Sequence, residues 1–228
     1  MKQVKVDLEE LGCKKWDEEI KRTSSIFNDT LMGQLLSTIT CSVCKYKSHT
    51  FEPYFVLELP LPNKPKATLK DCFIEYSKEE DVGCNLWECP QCNQRPKAKK
   101  SLQIWRLAPV LILCFKRFKN SHDDIKRNDC LVKINMTSED VGFTLAHLGL
   151  SNGKSQSRVY EPFSFIVAFI LIKHHSGTLS QGHYTCSVKN CHNGEWTLID
   201  DDAFKAIPKA SIDVVSLAWP RSTLQRTT

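Results

Sequence analysis

No apolar run in this sequence is long enough to cross a bilayer. The longest, Pro109 to Phe115 and Phe163 to Ile172, fall far short of the roughly 20 residues that a membrane helix needs. The opening residues Met1-Lys2-Gln3-Val4-Lys5 lack the apolar core of a secretory signal. These absences predict an intracellular chain with no membrane span. Charge of one sign is lacking too, since 31 Lys and Arg stand against 26 Asp and Glu for a formal charge of +5. The basic runs Arg95 to Lys100 and Lys116 to Lys119 have no interleaved aromatic platforms, so the sequence argues against a nucleic-acid partner. What remains is an ordinary globular composition, 41% hydrophobic and 25% charged over 228 residues, enough for one large domain or two small ones.

Cysteine is the residue in excess, with 11 in the chain. Without a secretory signal, and at this length, a disulfide scaffold is the weaker reading, and metal ligation or burial the stronger. Cys41-Ser42-Val43-Cys44 returns as Cys89-Pro90-Gln91-Cys92. Two such pairs offer four thiolates at tetrahedral spacing, the ligand set of a structural zinc ribbon, and a full cysteine set leaves no position for a catalytic water. Reduced buried cysteines and redox chemistry are the alternatives.

Lys45 to Glu88 is too long a connection for a bare ribbon and must hold structure of its own. Phe51 to Leu61 alternates as a strand that breaks at Pro60 and Pro62. Thr68-Leu69-Lys70-Asp71 is a helix start with an acidic residue three after the threonine cap. Leu69, Cys72, Phe73 and Tyr76 then share a helical face, which makes Cys72 a core residue. Residues 7 to 37 read mainly as helix, with Trp16, Ile20, Leu31, Leu35 and Leu36 between charged residues.

Further on, two apolar strands surround Ala108-Pro109 between Ser101 and Phe118, and Cys114 stands in the second in an apolar setting. A strand is expected near Leu131 to Ile134. Residues 119–160, with Ser138, Glu139, Asp140, Asn152, Gly153 and Lys154, read as a connection around it. Phe163 to Lys173 is a near-continuous apolar strand of the kind buried on both faces. After it, Gln181-Gly182-His183-Tyr184-Thr185 and Glu195-Trp196-Thr197-Leu198-Ile199-Asp200-Asp201 form antiparallel strands. With a loop of Asn190 to Asn193, Lys189 pairs with Gly194, Thr185 with Leu198 and His183 with Asp200. With Asn193-Gly194 as a two-residue turn, Asp200 lies opposite Ser187 and away from His183. Spacing leaves both registers open.

The GHYT segment followed by W-x-x-x-D-D resembles the histidine box of the ubiquitin-specific proteases, papain-like thiol enzymes that remove ubiquitin. Gln181 and Thr197 depart from the usual residues, glycine and an aromatic. The run Gly33-Gln34-Leu35-Leu36-Ser37-Thr38-Ile39-Thr40-Cys41, the L-x-L-P-L-P strand, the T-L-x-D-C helix start and Cys114-Phe115-Lys116-Arg117-Phe118 resemble further parts of that family. The resemblance implies that His183 is the general base, that Asp200 orients it and that Asp201 supports the oxyanion region. It also implies an α+β fold, a papain-like palm with an antiparallel sheet and a zinc-ribbon fingers subdomain holding zinc at Cys41, Cys44, Cys89 and Cys92.

On that scheme residues 1–228 are a partial catalytic domain. Residues 7–40 are a helical lead-in, 41–100 the fingers with an inserted strand and helix, and 101–219 the palm. The family's final strand is altered here, where Val214-Val215-Ser216-Leu217-Ala218-Trp219-Pro220 stands. No segment matches the family's cysteine box, N-T-C-Y-x-N-S, and Cys13 has the wrong neighbours for a nucleophile, so the thumb is expected to be absent. The expectation is the catalytic-domain portion of a deubiquitinase that hydrolyses isopeptide bonds at the C-terminus of ubiquitin by a Cys-His-Asp mechanism. Its nucleophile lies outside this chain, which alone is then inactive. The alternative is a non-catalytic ubiquitin-binding module. The partners expected are ubiquitin or ubiquitinated proteins, in the cytoplasm and also the nucleus.

Overall fold

The computed structural model describes residues 7–121, 124–134, 160–171 and 181–208. Helix α1 (Leu8–Arg22) starts at Asp7, whose carboxylate accepts the Glu9 and Glu10 N–H groups at 2.9 and 3.2 Å. Helix α2 (Ile26–Leu31) is capped by Ser25. The helical reading of residues 7 to 37 ends there, because Gly33–Cys41 is a strand, β1. It pairs antiparallel with β2 (Lys47–Tyr54) on one side and β6 (Ala98–Arg106) on the other. Leu36 packs with Phe51 and Trp105 under α1, while its neighbour Leu35 packs on the main core. Adjacent leucines thus pack on the two faces of a central strand, Leu36 buried and Leu35 partly buried, a pattern that imitates one face of a helix.

The sheet order is β2-β1-β6-β5, with β5 (Glu80–Val82) at an edge. The expected strand from Phe51 to Leu61 is divided at Phe55 into β2 and β3 (Val56–Pro60). Strand β3 pairs in parallel with β7 (Ile112–Lys116), and β4 (Lys66–Thr68) pairs in parallel with β10 (Leu131–Lys133). Strands β8 (Phe118–Ser121) and β9 (Asp124–Arg127) form a hairpin.

Helix α3 (Leu69–Tyr76) begins as its sequence predicts, with the Thr68 hydroxyl accepting from the Asp71 N–H and the Asp71 carboxylate accepting from the Thr68 N–H at 2.7 Å. The Thr68 backbone N–H and the nearby Lys64 ammonium hold the Asp71 carboxyl down at about 2. Leu57, Leu59, Leu69, Phe73 and Val132 build the main core. Cys72 lies fully buried there, and burial pushes its thiol up to about 12, so it is inert as expected. Cys114 differs from expectation. Leu113 and Phe115 turn toward the core, whereas Cys114 lies between them on the outer face and is exposed.

Helix α1 lies on a T-shaped pair of rings, Phe51 and Trp105, with centroids 5.1 Å apart. Gly12 makes this approach possible. A Cβ there would sit 2.6 Å from Trp105 Nε1 and 3.0 Å from Phe51 Cε1. Gly12→Val is therefore expected to destabilise the chain by about 2 kcal/mol through overpacking, read as a lower denaturant midpoint. An unchanged midpoint would show that α1 does not rest there.

The C-terminal sheet has the order β11-β12-β13-β14, all antiparallel, with β11 (Ser164–Leu171), β12 (Gln181–Lys189), β13 (Trp196–Asp200) and β14 (Ala203–Ile207). On one face Trp196 is buried against Phe165 and Ile207, and Phe165 also packs on the main core. On the other face Ile166, Cys186, Ile199 and Phe204 stand in one row across the strands. The two ends of that row, Ile166 and Phe204, are 70% and 72% exposed. The expected double-sided burial of β11 therefore does not hold at Ile166, since only the opposite face of the strand, at Phe165, packs against the core. The fold class is α+β, as expected. The altered final strand at Val214 to Trp219, most of the 119–160 connection and the Ile172-Lys173 end of the apolar run lie outside the described residues. Among the described residues, no helix is long and apolar enough to cross a membrane.

Candidate functional site

The four predicted ligands Cys41, Cys44, Cys89 and Cys92 converge at the far end of the first sheet. All four sulfurs lie within 4.8 Å of one another. Cys41 Sγ is 4.0 Å from Cys92 Sγ, and Cys44 Sγ is 3.5 Å from Cys89 Sγ. Thiolates on a tetrahedral zinc with bonds of about 2.3 Å are separated by about 3.8 Å, so the donor set fits such an ion.

The backbone builds each pair in the same way. The Cys41 N–H donates to the Tyr46 carbonyl and the Lys45 N–H returns to the Cys41 carbonyl, at 2.9 and 3.1 Å. Likewise the Cys89 N–H donates to Gln94 and the Asn93 N–H to Cys89, both at 2.8 Å. Lys45 and Asn93 close the two turns in the left-handed region, with φ of 61° and 51°. Burial opposes ionisation of Cys41, but the backbone N–H groups of Cys44 and Val43 together with the Cys44 and Cys89 thiols outweigh it and bring the thiol down to about 7. A cluster with all four positions taken by sulfur can hold a structural ion and offers no place for a substrate.

The histidine hairpin takes neither of the two registers read from spacing. Its pairs are Thr185 with Asp200, Ser187 with Leu198 and Lys189 with Trp196. The loop is Cys191 to Gly194, one residue later than Asn190 to Asn193. The Asn190 N–H donates to the Glu195 carbonyl at 2.8 Å and the Gly194 N–H to the Asn190 carbonyl at 2.9 Å. Turn chemistry explains the shift. The loop needs a left-handed residue at its last position, and Gly194 supplies it with φ of 74°, the conformation that glycine adopts without strain. Asn190 Oδ1 accepts the His192 N–H and Asn193 Oδ1 accepts the Glu195 N–H, which fixes the same frame.

In this register the backbone position of His183 is two residues from Thr185 along β12. His183 and Asp200 are then diagonal neighbours on one face instead of direct partners. Asp201 has left the strand. It opens the two-residue turn to Ala203 with φ of 49°, so it is not on the opposite strand face where alternation predicts it.

Three comparisons bear on this arrangement. A family model described as ubiquitin carboxyl-terminal hydrolase matches residues 1–223. The chain belongs to that family. It is 31% identical over 205 residues to mouse (Mus musculus) ubiquitin carboxyl-terminal hydrolase 21, a match covering 86% of this chain and 33% of the relative. It is 28% identical over 207 residues to rat (Rattus norvegicus) ubiquitin carboxyl-terminal hydrolase 2, covering 90% and 31%. The chain thus spans about a third of the length of the curated relatives it matches. Among solved structures it is similar to the yeast SAGA DUB module, with a TM-score of 0.65 and 21% identity over 90% of this chain and 43% of the other. It is also similar to a SAGA DUB module bound to monoubiquitin, with a TM-score of 0.58 and 25% identity over 84% and 40%.

Proposed function

We propose that this chain is the fingers and palm portion of a thiol-dependent deubiquitinase that hydrolyses isopeptide bonds at the C-terminus of ubiquitin. The observation that carries this reading is the hairpin register, in which His183 and Asp200 occupy one sheet face as diagonal neighbours. His183 is the general base. It takes the proton of a cysteine thiol supplied by a segment outside these 228 residues and later returns a proton to the leaving amine. Asp200 orients the imidazole and stabilises its protonated form. Asp201, in the turn beside it, supports the oxyanion region.

Cys41, Cys44, Cys89 and Cys92 hold zinc in a structural role, where the ion supplies a cross-link and no chemistry. Their thiolates tie the end of β1 to the loop before β6. Cys13 and Cys114, both exposed, have no part in the reaction. Ubiquitin is the partner, a reading supported by the similar module bound to monoubiquitin. The cytoplasm and the nucleus are the compartments.

The test is titration of the isotope-labelled chain with ubiquitin, followed by NMR. Weak, saturable shifts are expected on both the first sheet and the histidine hairpin. A ubiquitin probe that traps active-site thiols is expected to leave the chain unlabelled. A flat titration at millimolar ubiquitin would overturn the partner, and labelling at Cys13 or Cys114 would overturn the placement of the nucleophile. Ubiquitin binding with no turnover after the thiol segment is supplied would instead identify a non-catalytic binding module.

A further inference from the structure

We propose that Cys44 is an oxidation site: a peroxide reacts there first, Cys89 resolves the product as a disulfide, and the four-cysteine cluster opens. The proposal rests on the reading of that cluster as a structural zinc site.

The four cysteines are alike in spacing and unlike in burial. Cys41 and Cys89, the first of each pair, are 0% exposed. Cys41 ends β1 inside the sheet, and Cys89 is held by its N–H to the Gln94 carbonyl at 2.8 Å. Cys92 is half-buried, whereas Cys44 is exposed. The turn that carries Cys44 is open at every residue from Ser42 to Lys45. Susceptibility to oxidation follows thiolate character and access. Four thiolates on one ion share the first property, so access decides between them and selects Cys44. Proximity then selects its partner, since Cys44 Sγ lies 3.5 Å from Cys89 Sγ, against 4.0 Å between Cys41 and Cys92.

The Cys44 thiolate attacks one oxygen of hydrogen peroxide. An S–O bond forms, the O–O bond breaks and hydroxide leaves, so the sulfur is oxidised to a sulfenic acid and the peroxide is reduced. The Cys89 thiolate then attacks the Cys44 sulfur, where an S–S bond replaces the S–O bond and a second hydroxide leaves. Two thiolates and one peroxide thus become one disulfide and two hydroxides. Cys41 and Cys92 remain, and two sulfurs are too few for an ion that takes four ligands in a structural site. Oxidation therefore releases the metal and loosens the end of the first sheet, because the binding energy of such an ion is folding energy.

The test treats the full chain, purified under reducing conditions and then freed of reductant, with hydrogen peroxide. A zinc-sensitive dye reads the metal released, and mass spectrometry of peptides, after free thiols are blocked, reads the linkages. Release is expected in step with a Cys44–Cys89 linkage, and thiol reductant with added zinc is expected to reverse both. Cys44→His keeps a zinc ligand but removes the sulfur that reacts first, and is expected to slow release about 10-fold. A first linkage between any other two cluster cysteines, Cys41 with Cys44 included, would overturn the proposal. So would zinc retained under a molar excess of peroxide, or a Cys44→His chain that releases its zinc as fast as the parent. Should Cys44→His fail to hold zinc, the order of linkages in the parent decides alone. A parent without zinc before peroxide is added would instead refute the zinc reading, and the proposal with it.

Discussion

Cys89→Ser is expected to remove most of the zinc from the purified chain and to unfold the end of the molecule that the four cysteines close. The parent should carry about one equivalent by elemental analysis. The size of the effect follows from where the ligands sit. Cys41 is the last residue of β1, pairing with Ala98 at the start of β6, while Cys89 and Cys92 lie in the loop that leads to β6. Beyond the strands, apolar contacts thin out, with Val43 and Leu86 57% and 78% exposed. A bound ion would therefore be the main force opposing the chain entropy of those loops. Structural zinc contributes an apparent binding energy of about 10 kcal/mol or more at neutral pH, and that energy is folding energy. Serine is a far weaker ligand, so the remaining three thiolates cannot keep the full effect. The loss should appear as collapsed amide dispersion for residues near both turns, with the C-terminal sheet less affected. A chain free of metal after gentle purification, or a Cys89→Ser variant that melts like the parent, would remove zinc from this account.

The same loops show what kind of information a single sequence carries well. Two cysteines three residues apart form a local motif, and so does the threonine and aspartate box that opens α3; both appear where the sequence puts them. The hairpin was legible as a hairpin for the same reason. Its register was not, because register depends on which residue takes the left-handed place in the turn. Moving Gly194 from a strand position into the loop shifts every cross-strand partner by two residues, so that Thr185 and not His183 faces Asp200.

Strand β1 failed differently. Thr38-Ile39-Thr40 favours a strand, but Leu31, Leu35 and Leu36 before it have helical spacing, and only pairing with β2 and β6, distant in sequence, decides between them. Cys114 shows the same limit on a smaller scale. An apolar run does not tell which alternate residue faces out until its partner strand β3 is known. For β1 and Cys114 what was missed was set by contacts between distant segments, whereas the hairpin register was decided within its own turn.

Asp200→Ala is expected to lower turnover by about 100-fold to 10,000-fold in an enzyme that also carries the thiol segment, since an orienting carboxylate fixes both the tautomer and the direction of the base. Asp202→Ala should cost little. The three acidic residues 200 to 202 are adjacent in sequence, but the structure separates their positions. Asp200 is the last residue of β13, on the face that carries His183, with its backbone paired to Ala203. Asp201 and Asp202 form the turn between them, and both are exposed. A carboxylate in that turn has left the β13 ladder that sets Asp200 on the His183 face. Asp201→Ala is expected to fall between the two, as befits a group that assists the oxyanion region without touching the base. The order of the three variants is the discriminating result, because a general loss of sheet stability would lower all of them together. If Asp201→Ala or Asp202→Ala proves as damaging as Asp200→Ala with thermal stability unchanged, then the diagonal pair of His183 and Asp200 is not the base and its orienting acid.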